Sequence, residues 1–348
     1  MAEANNAMCN YLSVPEIFAD YWNGAVFGGV QKIQAGDLEA YSGTYYAIPD
    51  GKSCKTKSRS RDVIQKVKQG TTYTILGVEN QQDISYVMPV RQMEYDVMEY
   101  RRQIKEIAAK NRKRAKEQQL KEKNQQEDDI KGSDETVSEV NEQENKDAEV
   151  NVKERSEFWR NSGEFLSGFR KDDKLMPVVT TTFYHGLEEY DGCRDLHGML
   201  KLEKEHEDYL DLIPNYPLNL ITLKDIQEDN LRTGLREVIG VMKRSRDKDD
   251  LLQYYQENQE RFHQLDDETI NTIGVLINQK DLIKYKDENG GVNMCKAFED
   301  VKTEGRLEGM DLAIKIIKFF RQGMSETEIA AHENVKLEMV NKVLKELS

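Results

Sequence analysis

Half-way between Arg101 and Val150 the chain's charge reverses sign, and the reversal limits which parts of it can belong to one core. Arg101 to Lys123 holds ten Lys/Arg against three Glu, a balance of +7, while Glu127 to Val150 holds ten Asp/Glu against two Lys, a balance of −8. The basic block has neither Gly nor Pro and is rich in Lys, Glu, Gln and Ala, so it reads as the solvated far end of a helix starting near Pro89. The acidic block has almost no apolar residues and is broken by Gly132, Ser133 and Asp134. Such a stretch cannot offset the entropy of its own ordering, so residues 124–155 are expected to be a disordered insertion. Core-forming residues return at Phe158 and Trp159, which places folded sequence on both sides of it.

Before the insertion, Val14 to Val30 has apolar residues at helical spacing, with Phe18, Trp22, Val26 and Phe27 on one side. Glu39 to Ile48 and Lys57 to Lys68 read as strands, and Thr71 to Val78 (TTYTILGV) is the strongest strand signal in the protein. After the insertion Pro177 to Tyr184 (PVVTTTFY) is a further β-branched run, and from Leu223 the spacing is helical. The order is helix, three strands, helix, insertion, strand, then helices.

Several function classes lack their signatures. No apolar run approaches the roughly 18 residues that span a bilayer, and the first residues lack a cationic segment followed by an apolar one, so a cytoplasmic protein without a membrane partner is expected. The four cysteines form no CxxC pair and the five histidines no HExxH or HxH, which speaks against zinc. GxxxxGK[ST] and GxSxG are absent, and Gly28-Gly29 lacks the dinucleotide-binding context. The net charge of −14 argues against a protein coated in nucleic acid, but charge segregation matters more than the total for steering a polyanion.

The residues that carry chemistry are Asp62 and the run Glu79-Asn80-Gln81. Side chains alternate along a strand, so Glu79 and Gln81 point one way and Asn80 the other. If the strand holding Asp62 pairs antiparallel with that of Glu79, the two carboxylates lie side by side, the arrangement Mg²⁺ seeks before engaging phosphate oxygens. The alternative is a charged strand end in water. Lys55, Lys57, Arg59 and Arg61 alternate and share one face of an extended segment, where they either track a phosphate backbone or guard a sheet edge. Arg91 either grips a phosphate or pairs with a carboxylate such as Asp96.

In the segments RDVIQKV, YTILGVENQQDISYVMPVRQMEYDVMEYRRQI, LMPVVTTTFYHGLEEYDGCRDLHGML and GGVNMCKAFEDVKTEGRLEGM, the chain resembles the PD-(D/E)XK nuclease superfamily, and within it the bacterial recombination-promoting nuclease/putative transposase family. The resemblance implies an α/β fold with an αβββαβ core, a mixed sheet flanked by helices, and the helical spacing from Leu223 adds an all-helical C-terminal domain. Residues 1–123 and 156–222 would be two parts of the nuclease-like domain, 223–308 the helical domain and 309–348 a helix-turn-helix-like segment. It implies a Mg²⁺-dependent DNA endonuclease, with Mn²⁺ as a substitute, linked to recombination or transposition. Asp62, Glu79 and the main-chain carbonyl of Asn80 would hold the metal. Gln81 would stand where the superfamily's Lys usually orients the attacking water, and Gln carries no charge and takes no proton. That departure leaves open a protein that kept the fold and binds DNA, or assembles, without turnover. Asp20 and Asn23 on the first helix either complete the site or serve capping and packing.

The last forty residues admit two readings. As a DNA reader, the final helix offers Lys336, Asn341, Lys342 and Lys345. As a packing hairpin, Ile329, Val335, Met339, Val343 and Leu347 bury against the helical domain or a second copy of the chain, giving a homo-oligomer.

Overall fold

The computed structural model describes residues 2–46, 58–131, 158–277, 282–286 and 294–345. They form two compact units, one of residues 12–230 and one of residues 1–11 with 231–348.

Unit 12–230 is built on a five-stranded mixed sheet. In chain order its strands are β1 (Leu38–Ala40), β4 (Val63–Gln69), β5 (Thr72–Gln81), β6 (Val178–Tyr184) and β7 (Asn219–Thr222), and the same order holds across the sheet. Two short strands, β2 (Thr44–Tyr46) and β3 (Ser58–Ser60), make a separate antiparallel pair. β1, β4 and β5 run antiparallel in succession, and β5, β6 and β7 are parallel. A hairpin can reverse the chain between β4 and β5 through Gly70, whose φ of 61° suits a residue without Cβ. Parallel β5 and β6 need a crossover, and helix α3 (Met88–Lys131) lies between them in the chain. Strand β5 is central and buried on both faces from Leu76 to Asn80, which is why its sequence reads as a continuous rather than an alternating apolar run.

Helices flank the sheet. On one face lies α2 (Pro15–Tyr21), with Pro at its first turn, where a missing N–H costs nothing. Its Tyr21 hydroxyl is 3.2 Å from Thr181 Oγ1 and its ring 5.4 Å from that of Phe183. A π-helical turn, Trp22–Val26, continues it. The other face is covered by α3. The helix, strands, helix, strand order read from the sequence is present, with three differences. The expected strand over 39–48 is two short pieces, β1 and β2. The stretch 57–68 is likewise split into β3 and β4. The edge strand β7, only four residues beginning just after Pro217, gave no periodic signal.

Helix α3 also runs eight residues past the expected start of the insertion, to Lys131. The remainder of that expected insertion, 132–155, lies outside the described residues. Helix α4 (Ser162–Ser167) begins at an Asn161 cap, whose Oδ1 accepts from the N–H of Glu164 at 3.0 Å.

His185, just past β6, is buried, and its Nε2 has no hydrogen-bond partner. Burial pushes its pKa down to about 4, against a smaller upward pull from Asp83. The unfolded chain takes up this proton near pH 6.5 and the folded one only near 4, so stability falls as pH drops through that window, by about 3 kcal/mol. Urea unfolding of His185→Phe at pH 7 and 4.5 is expected to show less acid destabilisation than the parent. An identical pH dependence would show that His185 is not held neutral.

The second unit carries helices α5 (Leu235–Arg244), α6 (Lys248–Glu257), α7 (Asp267–Leu276), α8 (Met294–Arg321), α9 (Glu326–His332) and α10 (Leu337–Lys345). Helix α1 (Ala2–Ser13) contributes its first residues, tied in by Tyr11, whose hydroxyl is 2.8 Å from Thr269 Oγ1. The C-terminal helices follow the expected layout: Gly323 turns at φ 90° and Ser325 with Glu328 forms a capping box. Their small core is Ile316, Ile329 and Val340, with Val335, Val343 and Leu344 against it. Met339, expected in that stripe, is 46 % exposed, because α10 turns Val340 inward instead. Leu347 lies outside the described residues.

Candidate active site

Strands β4 and β5 pair with Val63 opposite Val78, so the next residue out on β4, Asp62, comes to Glu79. Asp62 Oδ2 accepts from the backbone N–H of Asn80 at 2.9 Å. Glu79 is fully buried and neither of its carboxylate oxygens accepts a hydrogen bond. It forms an ion pair with Arg91 on the first turn of α3, with Nη2 3.7 Å from Oε2 and the side chain one-third exposed, and the buried Arg61 also acts on it. Burial first, and the neighbouring Asp62 second, push the Glu79 pKa up to about 8. Burial also raises Asp62, against the opposing pull of the Asn80 N–H and Arg91. Two carboxylates thus share one poorly solvated spot with less positive charge than they need.

Gln81 follows Glu79 on the same side of β5, partly exposed at the strand end, and its carbonyl accepts from the N–H of His185 at 2.9 Å. Asn80 faces the other way, buried with Val78.

Asn23 spends its amide on the loop that follows it. Its Oδ1 accepts from the N–H groups of Lys32 and Ile33 at 2.9 and 3.0 Å, and its Nδ2 donates to Ile33 O at 2.8 Å. That is the packing alternative for Asn23 rather than completion of the site. Asp20 is buried on α2.

The basic row divides. Lys55 and Lys57 lie outside the described residues, and Arg59 is described only as the middle of β3, opposite Tyr45. Arg61 departs from the phosphate-tracking expectation. It is only 3 % exposed and its guanidinium is turned inward. Nη1 donates to Thr180 Oγ1 at 2.7 Å and Nη2 to the carboxylate of Asp96, which also accepts from Thr180 Oγ1 at 2.7 Å and from the Tyr216 hydroxyl. Room for it comes from Gly77, where a Cβ would lie 2.7 Å from Nη1. Asp96, weighed as a partner for Arg91, is therefore held by Arg61, and Arg91 is left to Glu79.

The sequence reading missed this interior. Gln92, Asp96, Glu99 and Gln103 lie at spacings of four, three and four, one face of α3, and all are buried. Gln92 Oε1 accepts from Thr182 Oγ1 at 3.1 Å. Gln103 Oε1 accepts from the N–H of Met176 at 2.8 Å, and Glu99 Oε1 from the Tyr41 hydroxyl at 2.9 Å. The face that α3 turns to the sheet is polar, and an amphipathicity reading assigns such a face to solvent. The available signal was the Thr180-Thr181-Thr182 run on β6, which carries hydroxyls into a buried strand.

The fold and these contacts stand beside one likeness to known proteins. Residues 162–271 match the family model described as "Putative transposase, YhgA-like". The matched stretch includes β6 and β7, the helices from α4 to α6 and the first half of α7, and begins well after Asp62 and Glu79. No curated protein and no solved structure matches the chain. Among the described residues no helix is long and apolar enough to cross a membrane.

Proposed function

We propose that the chain is a divalent-cation-dependent DNA endonuclease of the PD-(D/E)XK type, acting in transposition or recombination. The observation that carries the reading is the pair Asp62 and Glu79, brought together at adjoining strand ends with no hydrogen bond to Glu79. An uncompensated buried carboxylate is costly, and a hard cation removes that cost. Two carboxylates and the main-chain carbonyl of Asn80 are an all-oxygen donor set of the kind Mg²⁺ or Mn²⁺ takes. The transposase-like stretch at residues 162–271 supports a DNA substrate.

A bound Mg²⁺ supplies charge for the phosphoryl oxygens and acidifies a coordinated water. The chain's own groups do the rest. Asp62 is oriented by the Asn80 N–H, so the pair is preorganised. Arg91, cationic and partly exposed beside Glu79, turns its guanidinium to a scissile phosphate. Gln81 orients water through its amide but accepts no proton, so the proton of the attacking water leaves to solvent or to the phosphate, and turnover is slow. The expected result is Mg²⁺-dependent nicking of supercoiled plasmid that Asp62→Ala lowers at least a hundredfold. Equal nicking by the parent and the variant would refute the site.

A second reading is a nuclease fold that binds DNA without turnover. It is favoured by Gln81 and by the absence, among the described residues, of any cluster of three or more His, Cys, Asp or Glu able to hold a metal ion. Under it, the parent retards duplex DNA but leaves plasmid intact at any Mg²⁺ or Mn²⁺ concentration.

A further inference from the structure

Helix α8 packs Leu312, Ile316 and Phe319 against α9 and α10, and its far side carries a second apolar stripe. Met310 (54 %), Ile314 (57 %) and Phe320 (46 %) are exposed, with Ala313 and Ile317 between them. Met310, Ala313, Ile317 and Phe320 recur at spacings of three, four and three, the pattern by which one helix seats against another. Beside the stripe Ile317 and Phe320 continue into a groove with Leu344 and Asn341 of α10. We propose that this stripe is the seam of an antiparallel homodimer, in which α8 of one copy lies against α8 of a second.

The charges along the stripe choose the occupant and its direction. Asp311 and Lys318 are exposed, two helical turns apart, and so edge the stripe on one flank. In an antiparallel pair with its twofold axis between Ile314 and Lys315, residues equidistant from the axis meet. Asp311 of each copy then faces Lys318 of the other, giving two opposite-charge contacts, and Met310 of each copy lies toward the Phe320 end of the other. A parallel pair, whose twofold axis runs along the helices, would carry that flank to opposite sides of the seam, so Asp311 of one copy would not meet Lys318 of the other. Twofold closure makes the patch self-complementary and leaves nothing to propagate into filaments. Net charge does not oppose the contact: residues 309–345 carry six Lys/Arg and five Asp/Glu, about +1, whereas the whole chain carries −14.

The test is the oligomeric state of the full chain, read by light scattering during gel filtration across a dilution series. A dimer is expected, and Ile314→Glu, an exposed position where folding is not at stake, is expected to render it monomeric. Asp311→Lys and Lys318→Asp each place like charges across the axis twice, and each is expected to weaken dimerisation about tenfold. Mixing the two single variants restores both contacts in the heterodimer, which is expected to regain the parent affinity within about threefold. Circular dichroism of each variant verifies that it is folded. A parent chain that stays monomeric up to about 100 µM overturns the proposal. So does a dimer insensitive to Ile314→Glu, and so does a mixture that fails to recover what the single variants lose.

Discussion

Glu79→Gln is expected to make the protein more stable at alkaline pH while removing its response to Mg²⁺. A carboxyl whose folded pKa is raised, here to about 8, is fully protonated in both states below pH 4.5. As pH climbs from there through 8 the unfolded chain ionises first, and the folded state loses stability on the order of 5 kcal/mol. Gln keeps the shape of the protonated acid and has nothing to ionise. Thermal melts at pH 5, 7 and 9 should therefore converge at low pH and separate at high pH, the variant melting higher in chelator. Mg²⁺ should raise the melting temperature of the parent alone. Because the cation must displace a proton, its affinity for the parent should also rise about tenfold per pH unit below 8. A variant that melts lower than the parent at pH 9, or that keeps the Mg²⁺ shift, would identify Glu79 as a member of a structural ion pair with Arg91.

The second large effect lies behind the site. Arg61→Ala takes away the guanidinium hydrogen-bonded to Asp96 and leaves that carboxylate buried among Thr180 and Tyr216. Breaking a buried pair by removing one partner costs about 3–5 kcal/mol, which for a unit of this size lowers the melting temperature by roughly 10 °C. Removing both charges tests whether the loss comes from the orphaned carboxylate. Arg61→Met with Asp96→Leu should recover most of it, since hydrophobic groups of similar volume replace buried ion pairs at little cost. If Arg61→Ala shifts the melting temperature by less than about 2 °C, the guanidinium is not the counterion the geometry makes it.

These two residues show where sequence is legible. Asp62 and Glu79 come together through pairing of neighbouring strands across a tight turn, and strand alternation is enough to foresee it. The helix, strand, helix, strand order follows likewise from β-branched runs separated by a long helical pattern. Arg61 is different: its alternation with Lys55, Lys57 and Arg59 points outward, and only the missing Cβ of Gly77, sixteen residues away in the chain, admits its guanidinium to the interior. The buried amides and carboxylates of α3 were not singled out, for the same reason. Polar residues are assigned outward unless their partners are known, and most of those partners, Met176, Thr180, Thr182 and Tyr216, lie on the far side of the insertion. Strand β7 was illegible because four residues carry too little periodicity.

Helix α3 is 44 residues long, about 66 Å from end to end. Its buried side chains among the described residues run from Met88 to Ala115. Mechanically it is a cantilever clamped over at least its first 40 Å or so, with some 25 Å of helix continuing beyond Ala115. Its clamp is cut with teeth, because each amide or carboxylate of the seam must meet its own hydroxyl or backbone partner. Sliding by one turn would leave those groups unmet, where an oily seam would let the rod creep. The root of the cantilever is Arg91, against Glu79. Residues inserted past Ala115 would lengthen the projecting arm without moving its root, whereas a single residue inserted between Gln92 and Gln103 would rotate every later tooth by about 100° and strip the clamp.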